Sequence, residues 1–387
     1  MYVCGLKKNR NLMDNFIVSA RKYRPTTFNT VVGQDAITST LKNAIKTQQV
    51  AQAFLFCGPR GVGKTTCARI FAKALNCQHP TEDFEPCNEC ESCKAFNDSA
   101  SFNVFELDAA SNNSVEGIRS LVSQVQIPPQ GAKYKVYIID EVHMLSGSAF
   151  NAFLKTLEEP PAYAKFIMAT TEKHKIIPTI LSRCQVYDFK RITDNDILKH
   201  LQFVAQQEGV TAEEEALRVV AAKADGALRD ALSIFDQLVS FSGKNISYQQ
   251  AIENLNVLDV DNYFKTTDFL FSDNGAAALL LLDDIIAKGF DAQNFIAGLA
   301  AHFRNLLMAQ TPDTIHLIES SDSIRQRLAE QAQKANKQLL IRALELANLC
   351  DFNYKMSNNK RLSVELCMMQ INANYVFTKA RQSQVRQ

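Results

Sequence analysis

The chain lacks any apolar run approaching the roughly 18 residues of a membrane-spanning helix. Its opening residues, Met1 to Arg10, hold no apolar stretch of signal-peptide length. These absences lead to the expectation of a cytoplasmic protein with no membrane partner. Net charge is nearly absent as well: 42 Lys and Arg against 41 Asp and Glu leave +1. That balance argues against a protein wrapped wholly in nucleic acid, while leaving room for a local basic face. No internal repeat and no low-complexity tract occurs. What is present is an apolar content of 46 % over 387 residues, enough for real cores in two or three domains. Ten cysteines in a reducing compartment point away from disulfides, and four of them cluster.

The stretch that organises the chain runs from Phe54 to Thr66. It reads as an apolar strand, a glycine-rich loop and the start of a helix. Gly58, Pro59, Arg60, Gly61, Val62, Gly63, Lys64 and Thr65 fit the pattern G-x-x-x-x-G-K-[ST]. Glycines allow the loop to wrap closely round a polyphosphate. Successive backbone N–H groups and the helix N-terminus then face negative oxygens. Lys64 can reach the β- and γ-phosphates and Thr65 can offer its hydroxyl to Mg²⁺, with Thr66 alongside. The expectation is a nucleoside triphosphate site.

Around this loop the sequence alternates strand and helix. A helix is expected from Asp35, capped by that residue, to about Thr47, and a strand at Ala53–Phe56. Further strands are expected at 103–108, 135–143, 165–172 and 185–189. The helices between them run from a cap at Asn113 or Ser114 to about Gln126 and from Ser148 to Glu159, with one closing at 180–184. Five such alternations imply a three-layer α/β sandwich with a parallel sheet. Asp140 and Glu141 follow four largely apolar residues, placing two carboxylates at a strand's C-terminal end, where parallel sheets bind ligands. Asp140 would join the Mg²⁺ shell and Glu141 would orient the attacking water. Thr170 or Thr171 would sit near the γ-phosphate. Arg183, at a helix end, reads by itself as a solvated residue.

Cys77, Cys87, Cys90 and Cys93 have spacings of nine, two and two residues. Short C-x2-C spacings let one turn present two thiolates to a tetrahedral ion, so a structural Zn²⁺ is expected, with His79 as an alternative to Cys77. Removing it should loosen residues 77–93 and leave nucleotide binding mostly intact. From Thr193 to about Ser242 no strand is expected, only helices at 194–207, 213–224 and after Gly226. Helices continue from about Ile246 to Phe377. One carries Phe295, Leu299, Phe303, Leu306 and Leu307 on a single face, and another carries Leu339, Leu340, Ala343, Leu344 and Ala347. The polar tail from Thr378 to Gln387 is expected to be disordered.

Loop, acidic strand end, polar strand end and helical module in this order resemble an AAA+ ATPase. Ala20–Pro25, Val31–Gln34, Leu154–Pro161 and Ser182-Arg183-Cys184 are similar to clamp-loader motifs. The cysteine insertion with Asp140-Glu141-Val142-His143 resembles the gamma/tau family of bacterial DNA polymerase III. The resemblance implies an AAA+ P-loop sandwich at 15–190, a helical lid at 191–243 and a helical collar at 244–377, with 1–14 as an extension. It implies an ATP-driven subunit that opens and loads a sliding clamp on primed DNA, using ATP, Mg²⁺ and Zn²⁺. It also implies other clamp-loader subunits in a pentamer, the clamp and primer-template DNA as partners. Arg183 would act in trans at a neighbour's γ-phosphate, Arg229 would sense the γ-phosphate in cis, and Thr170 would be the first sensor. Tyr23, Arg24, Pro25 and Val32 would line the adenine side. Ser111, Asn112 and Asn113 are candidates for DNA contact, or simply cap and loop residues. Polymerase and helicase contacts are not expected from a chain that stops about ten residues past the collar pattern. The alternatives are a non-hydrolysing scaffold and a different AAA+ DNA-processing motor.

Overall fold

The computed structural model describes residues 17–112, 115–318 and 320–385. By backbone contacts the chain divides into two bodies. One comprises the described residues up to Gly209 together with Val220–Ser240, and the other comprises Val210–Val219 and the chain from Phe241 onward.

The first body is built on five parallel strands: β1 (Ala53–Cys57), β2 (Val104–Asp108), β3 (Lys135–Asp140), β4 (Ala164–Thr170) and β5 (Gln185–Asp188). They lie in the order β2-β3-β4-β1-β5, so β1 is interior, between β4 and β5. Side chains alternate across each strand, and both faces are covered. Leu55, Cys57, Tyr137, Ile139, Phe166 and Met168 pack with the helices Val115–Val125 and Gly147–Glu158 on one side. Phe54, Phe56, Val136, Ile138, Ile167 and Ala169 pack with the helices Asp35–Lys46 and Lys64–Leu75 on the other. This is the expected three-layer sandwich. Its loops collect at the C-terminal ends of β1, β3 and β4, where register pairs Cys57 with Thr170, and Asp108 with Asp140.

Several local expectations shift. The helix at Asp35 takes Gln34 as its N-cap, with no side-chain capping bond, and Asp35 is its first residue. β3 ends at Asp140 rather than continuing to His143. Glu141 turns into a left-handed conformation (φ +46°), and Val142–Met144 form a 3₁₀ turn. Asn113 and Ser114, the expected caps, lie outside the described residues, as do residues 1–16.

Helices Asp194–Glu208, Glu214–Lys223 and Leu228–Ser242 follow the sheet. Thr193 opens the first through a bond from the Asp196 amide, and Gly209 closes it with a left-handed residue. The all-helical expectation for this region was too simple: Thr211–Ala212 pair in parallel with Asn245–Ile246. Two residues per strand leave no periodic pattern to read.

The second body centres on the helix Ala292–Ala309, which packs on Asp322–Lys334, Lys337–Tyr354 and Lys360–Val385. Phe295, Leu299, Phe303 and Leu306 are buried as the stripe demanded, whereas Leu307 is half-buried. The expected disordered tail is corrected by the last helix, which runs unbroken to Val385. No glycine or proline interrupts it, and the Thr378 hydroxyl bonds the Asn374 carbonyl at 2.8 Å. No described helix is long and apolar enough to cross a membrane.

Candidate functional site

β1 is fully buried and hands the chain to the loop at the sheet's C-terminal edge. Gly58 has φ +146°, and a Cβ there would stand 2.5 Å from the Phe189 carbonyl oxygen. Only glycine lets the loop leave the strand so close to β5. Gly63, with φ +101°, caps the helix Lys64–Leu75, whose N-terminal N–H groups therefore open into the loop. The buried Lys64 ammonium lies inside the loop and donates to the carbonyls of Gly58 (2.8 Å) and Pro59 (2.6 Å). Burial lowers its pKa, and the carboxylates of Glu141 and Asp140 oppose that shift.

Thr65 and Asp140 meet across 75 residues of sequence: the Thr65 hydroxyl donates to Asp140 Oδ2 at 2.6 Å. A hydroxyl beside a carboxylate at a helix N-terminus is a donor set that suits Mg²⁺, which binds through few protein oxygens plus phosphate. The Glu141 carboxylate is engaged by Thr171, whose N–H and hydroxyl donate to its Oε2 at 3.2 and 3.0 Å. His143 Nδ1 stands 3.4 Å from the same oxygen and 3.0 Å from the buried Thr170 hydroxyl. Acidic strand end and polar strand end are thus one network, with Thr170 and Thr171 facing different members of it.

A cleft of about 690 Å³ runs over the loop. Arg60, Gly61, Val62, Gly63, Lys64, Thr65, Thr66, Asp140 and Glu141 line it. Tyr23, Arg24, Pro25 and Val32 line it from the N-terminal arm, and Arg229 from the helix Leu228–Ser242. Arg24 reaches Thr66 through its Nε at 3.3 Å. The Tyr23 hydroxyl donates to Glu208 at 2.7 Å. The Arg229 amide donates to the Gly61 carbonyl at 3.4 Å. Gly58, Pro59 and Thr170 do not line the cleft. Arg183 does not line it either. Its guanidinium is bonded to Glu158 (2.9 Å) and to the Thr179 carbonyl (2.8 Å) on an exposed surface.

Sequence reasoning missed Val18, Ile192, Leu228 and Leu232, which supply apolar walls, and Asp108, which lines the cleft beside Asp140. Asp108 was legible as a second carboxylate at a parallel strand's C-terminal end. The apolar walls carried no local signal. Ser111 and Asn112 bond to Asp108 instead of forming a free polar loop, through Ser111 Oγ at 2.9 Å and the Asn112 amide at 2.9 Å. Asn113 lies outside the described residues.

The four cysteine sulfurs of Cys77, Cys87, Cys90 and Cys93 all lie within 4.8 Å of one another, and His79 is not in the set. Cys87 Sγ is 3.5 Å from Cys77 Sγ and 3.9 Å from Cys93 Sγ. A tetrahedral zinc with bonds of about 2.3 Å spaces its sulfurs about 3.8 Å apart, so the residues fit that ion. N–H groups of Cys87, Glu89 and Cys90 point at sulfurs at 3.3–3.5 Å, as thiolates require. At Cys90 burial opposes ionisation, yet backbone groups at Gln78 and Cys93 and the neighbouring thiols outweigh it, lowering its pKa to about 6. Every cysteine among the described residues is free of a disulfide.

Three family models match consecutive parts of the chain. A DNA polymerase III delta subunit model matches residues 33–193, and a DNA polymerase III clamp-loader ATPase lid model matches 196–244. A model of domain III of DNA polymerase III subunits gamma and tau matches 246–384. The chain is similar to DNA polymerase III subunit tau of Bacillus subtilis, 41 % identical over 351 residues, covering 91 % of this chain and 62 % of that one. It is similar to DNA polymerase III subunit gamma of Buchnera aphidicola, 34 % identical over 359 residues, covering 92 % of this chain and 98 % of that one. With the Haemophilus influenzae tau/gamma subunit it shares 41 % identity over 76 % of this chain and 43 % of that one. The chain therefore spans about 62 % of the Bacillus relative and nearly all of the Buchnera one.

Proposed function

Because this chain belongs to the DNA polymerase III gamma/tau family, we propose that it is an ATP-hydrolysing clamp-loader subunit, which opens and loads a sliding clamp on primed DNA. The observation that carries this reading is the convergence of Lys64, Thr65, Asp140 and Glu141 on one cleft, with Arg229 on its rim. The family implies a nucleotide and Mg²⁺. Thr65 and Asp140 would hold the ion, whose chemistry is to neutralise charge on the phosphates. Lys64 and the N–H groups of 60–65 bind the phosphates, and the apolar walls from Val32 and Pro25 take the base. Glu141 orients and polarises the water, for which it exchanges its bonds to Thr171. Arg229 registers the γ-phosphate from the lid, and Thr170, which does not line the cleft, does so from the sheet through its contact with His143. Arg183 leaves its own subunit's surface to complete a neighbour's site, so hydrolysis depends on how subunits stack in a pentamer. Loss of the γ-phosphate then removes contacts on which that stacking rests. The four cysteines would hold Zn²⁺, which supplies a cross-link to a short irregular segment.

The testing experiment measures ATP hydrolysis by the assembled complex with and without clamp and primer-template DNA. Clamp and primed DNA together are expected to raise the rate severalfold. A chain that binds ATP but never hydrolyses it under any of these conditions is a scaffold, and the reading fails.

The contact between loop and lid carries its own expectation. Gly61 has φ +77°, and a Cβ there would stand 2.9 Å from Ala227 Cβ. Gly61→Ala combines backbone strain with a clash against the segment that carries Arg229. ATP affinity is expected to fall at least about tenfold, read by equilibrium nucleotide binding. Parental affinity would mean that the loop and lid need not approach this closely.

A further inference from the structure

Between the cluster residues Cys77 and Cys87 the chain makes an irregular excursion, exposed from Gln78 to Asp83. Glu85 departs from this pattern. It is 5 % exposed, an unusual position for a carboxylate. Its two oxygens do not face the cysteines. Oε2 accepts the Phe28 amide at 2.7 Å, and Oε1 accepts the Asn29 amide at 3.0 Å and pairs with Lys42 Nζ at 2.8 Å. Lys42 also donates to the Asn29 side chain at 2.5 Å. Phe28 and Asn29 begin a one-turn 3₁₀ helix, Phe28–Thr30, whose first N–H groups have no partner within the turn. A residue 57 positions away from Phe28 supplies the acceptor.

The wall of the nucleotide cleft comes directly after that turn. Val31 donates its amide to the Phe28 carbonyl at 3.1 Å, and Val31 and Val32 line the cleft. Two residues on, the buried Gln34 side chain donates to the Lys190 carbonyl at 2.8 Å and to the Val62 carbonyl of the phosphate loop at 3.4 Å. One continuous series of contacts therefore runs from the cysteine cluster through Glu85 to the base wall and the phosphate loop.

The other end of the series is fixed by the cluster. Glu85 lies two residues before Cys87. Its own amide is held by the Thr81 hydroxyl at 3.1 Å, and its carbonyl by the Thr81 amide at 3.0 Å, so 81–85 is one closed turn. The Cys87 amide donates to Cys77 Sγ at 3.3 Å. A metal joining Cys77 to Cys87 closes the excursion and removes the chain entropy that opposes placing Glu85. When the thiols are unlinked, that entropy returns. A carboxylate that leaves then strands the buried Phe28 N–H, the partly buried Asn29 N–H and the Lys42 charge.

We infer that Glu85 is a positioning residue through which metal occupancy of the Cys77–Cys87–Cys90–Cys93 cluster sets nucleotide affinity. This rests on the zinc and ATP readings above. It replaces the expectation that metal removal leaves nucleotide binding mostly intact. Because Glu85 acts on the base wall, the effect falls on ATP and ADP alike.

The test uses the full chain, zinc-loaded or after gentle chelation, with zinc content measured in each state. Binding of ATP and of ADP is measured by calorimetry, and amide exchange is followed at Phe28 and Asn29. Chelation is expected to weaken both nucleotides about tenfold and to speed exchange at both amides. Zinc-loaded Glu85→Gln keeps the side-chain shape and one acceptor oxygen. It is expected to bind nucleotide about as weakly as the chelated parent, with little further loss on chelation. Equal affinity of the loaded and zinc-free parent overturns the coupling while leaving both site readings standing. So does an undiminished chelation effect in Glu85→Gln, because the path then bypasses Glu85. A chain that takes up no zinc overturns the metal reading and the coupling with it, and one that binds no nucleotide does the same through the ATP reading. If Glu85→Gln does not fold, the parent's affinities and its exchange at Phe28 and Asn29 still decide the question.

Discussion

Lys64→Ala is expected to abolish ATP hydrolysis, lowering the rate by about a hundredfold or more, without lowering the chain's melting temperature. The functional part comes from position. Lys64 is the ammonium inside the loop, and a charge aimed at phosphate oxygens in a partly dry site is worth more than it would be in water. The stability part comes from burial. The ammonium is held by two carbonyls, and its pKa is depressed chiefly by desolvation. A lysine whose folded pKa lies below its unfolded value destabilises the fold over the pH range in which both states carry the proton. Deleting the charge relieves that penalty, and helix propensity favours alanine at this position. Hydrolysis measured beside thermal unfolding separates the two effects. Retained hydrolysis would show that the catalytic site lies elsewhere. A large drop in melting temperature would show that Lys64 holds the loop together and that lost activity reports unfolding.

Arg183→Ala subunits, mixed with parental ones, are expected to lower hydrolysis at the neighbouring intact site about a thousandfold or more, within the range of arginine fingers supplied in trans. Among the described residues, Arg183 bonds to its own exposed neighbourhood: Glu158, the Thr179 carbonyl and, at 3.3 Å, the Ser182 hydroxyl. Such exposed pairs are worth about 0–1 kcal/mol, so the side chain can exchange them for a phosphate at little cost. For the same reason the substitution should leave folding and nucleotide binding by the mutated subunit unchanged. Hydrolysis that falls only at the mutated subunit's own site would place Arg183 in cis. No fall at all would return it to the solvated role that its helix-end position suggests.

The sites differ in how far they could be read in advance. Gly58 to Thr65 was legible because every requirement is local: a tight turn, N–H groups in succession and a helix start within eight residues. Asp140 and Glu141 were legible once a parallel sheet was inferred, since strand ends in such a sheet converge. The cysteine cluster was legible because two of its three spacings fit within one turn. Less could be read where two distant segments meet. Thr171 takes hold of Glu141 across 30 residues, and Glu158 holds Arg183 across 25. Neither residue type announces that task.

The same distinction separates the whole protein into two parts. Its sequence by itself determined the sandwich, the glycine-rich loop, the acidic strand end and the cluster of four cysteines, because period-two and period-3.6 burial and short-range turn chemistry are written in neighbouring residues. Only the tertiary structure decided that Glu85, leaving the cysteine cluster, would reach Phe28 and Asn29 rather than water. Only it decided that Asp108 would stand beside Asp140, and that the last helix would continue through a polar tail to Val385. Those outcomes depend on which surfaces pack together. A buried carboxylate is stable only where donors from elsewhere in the chain have already been brought to meet it.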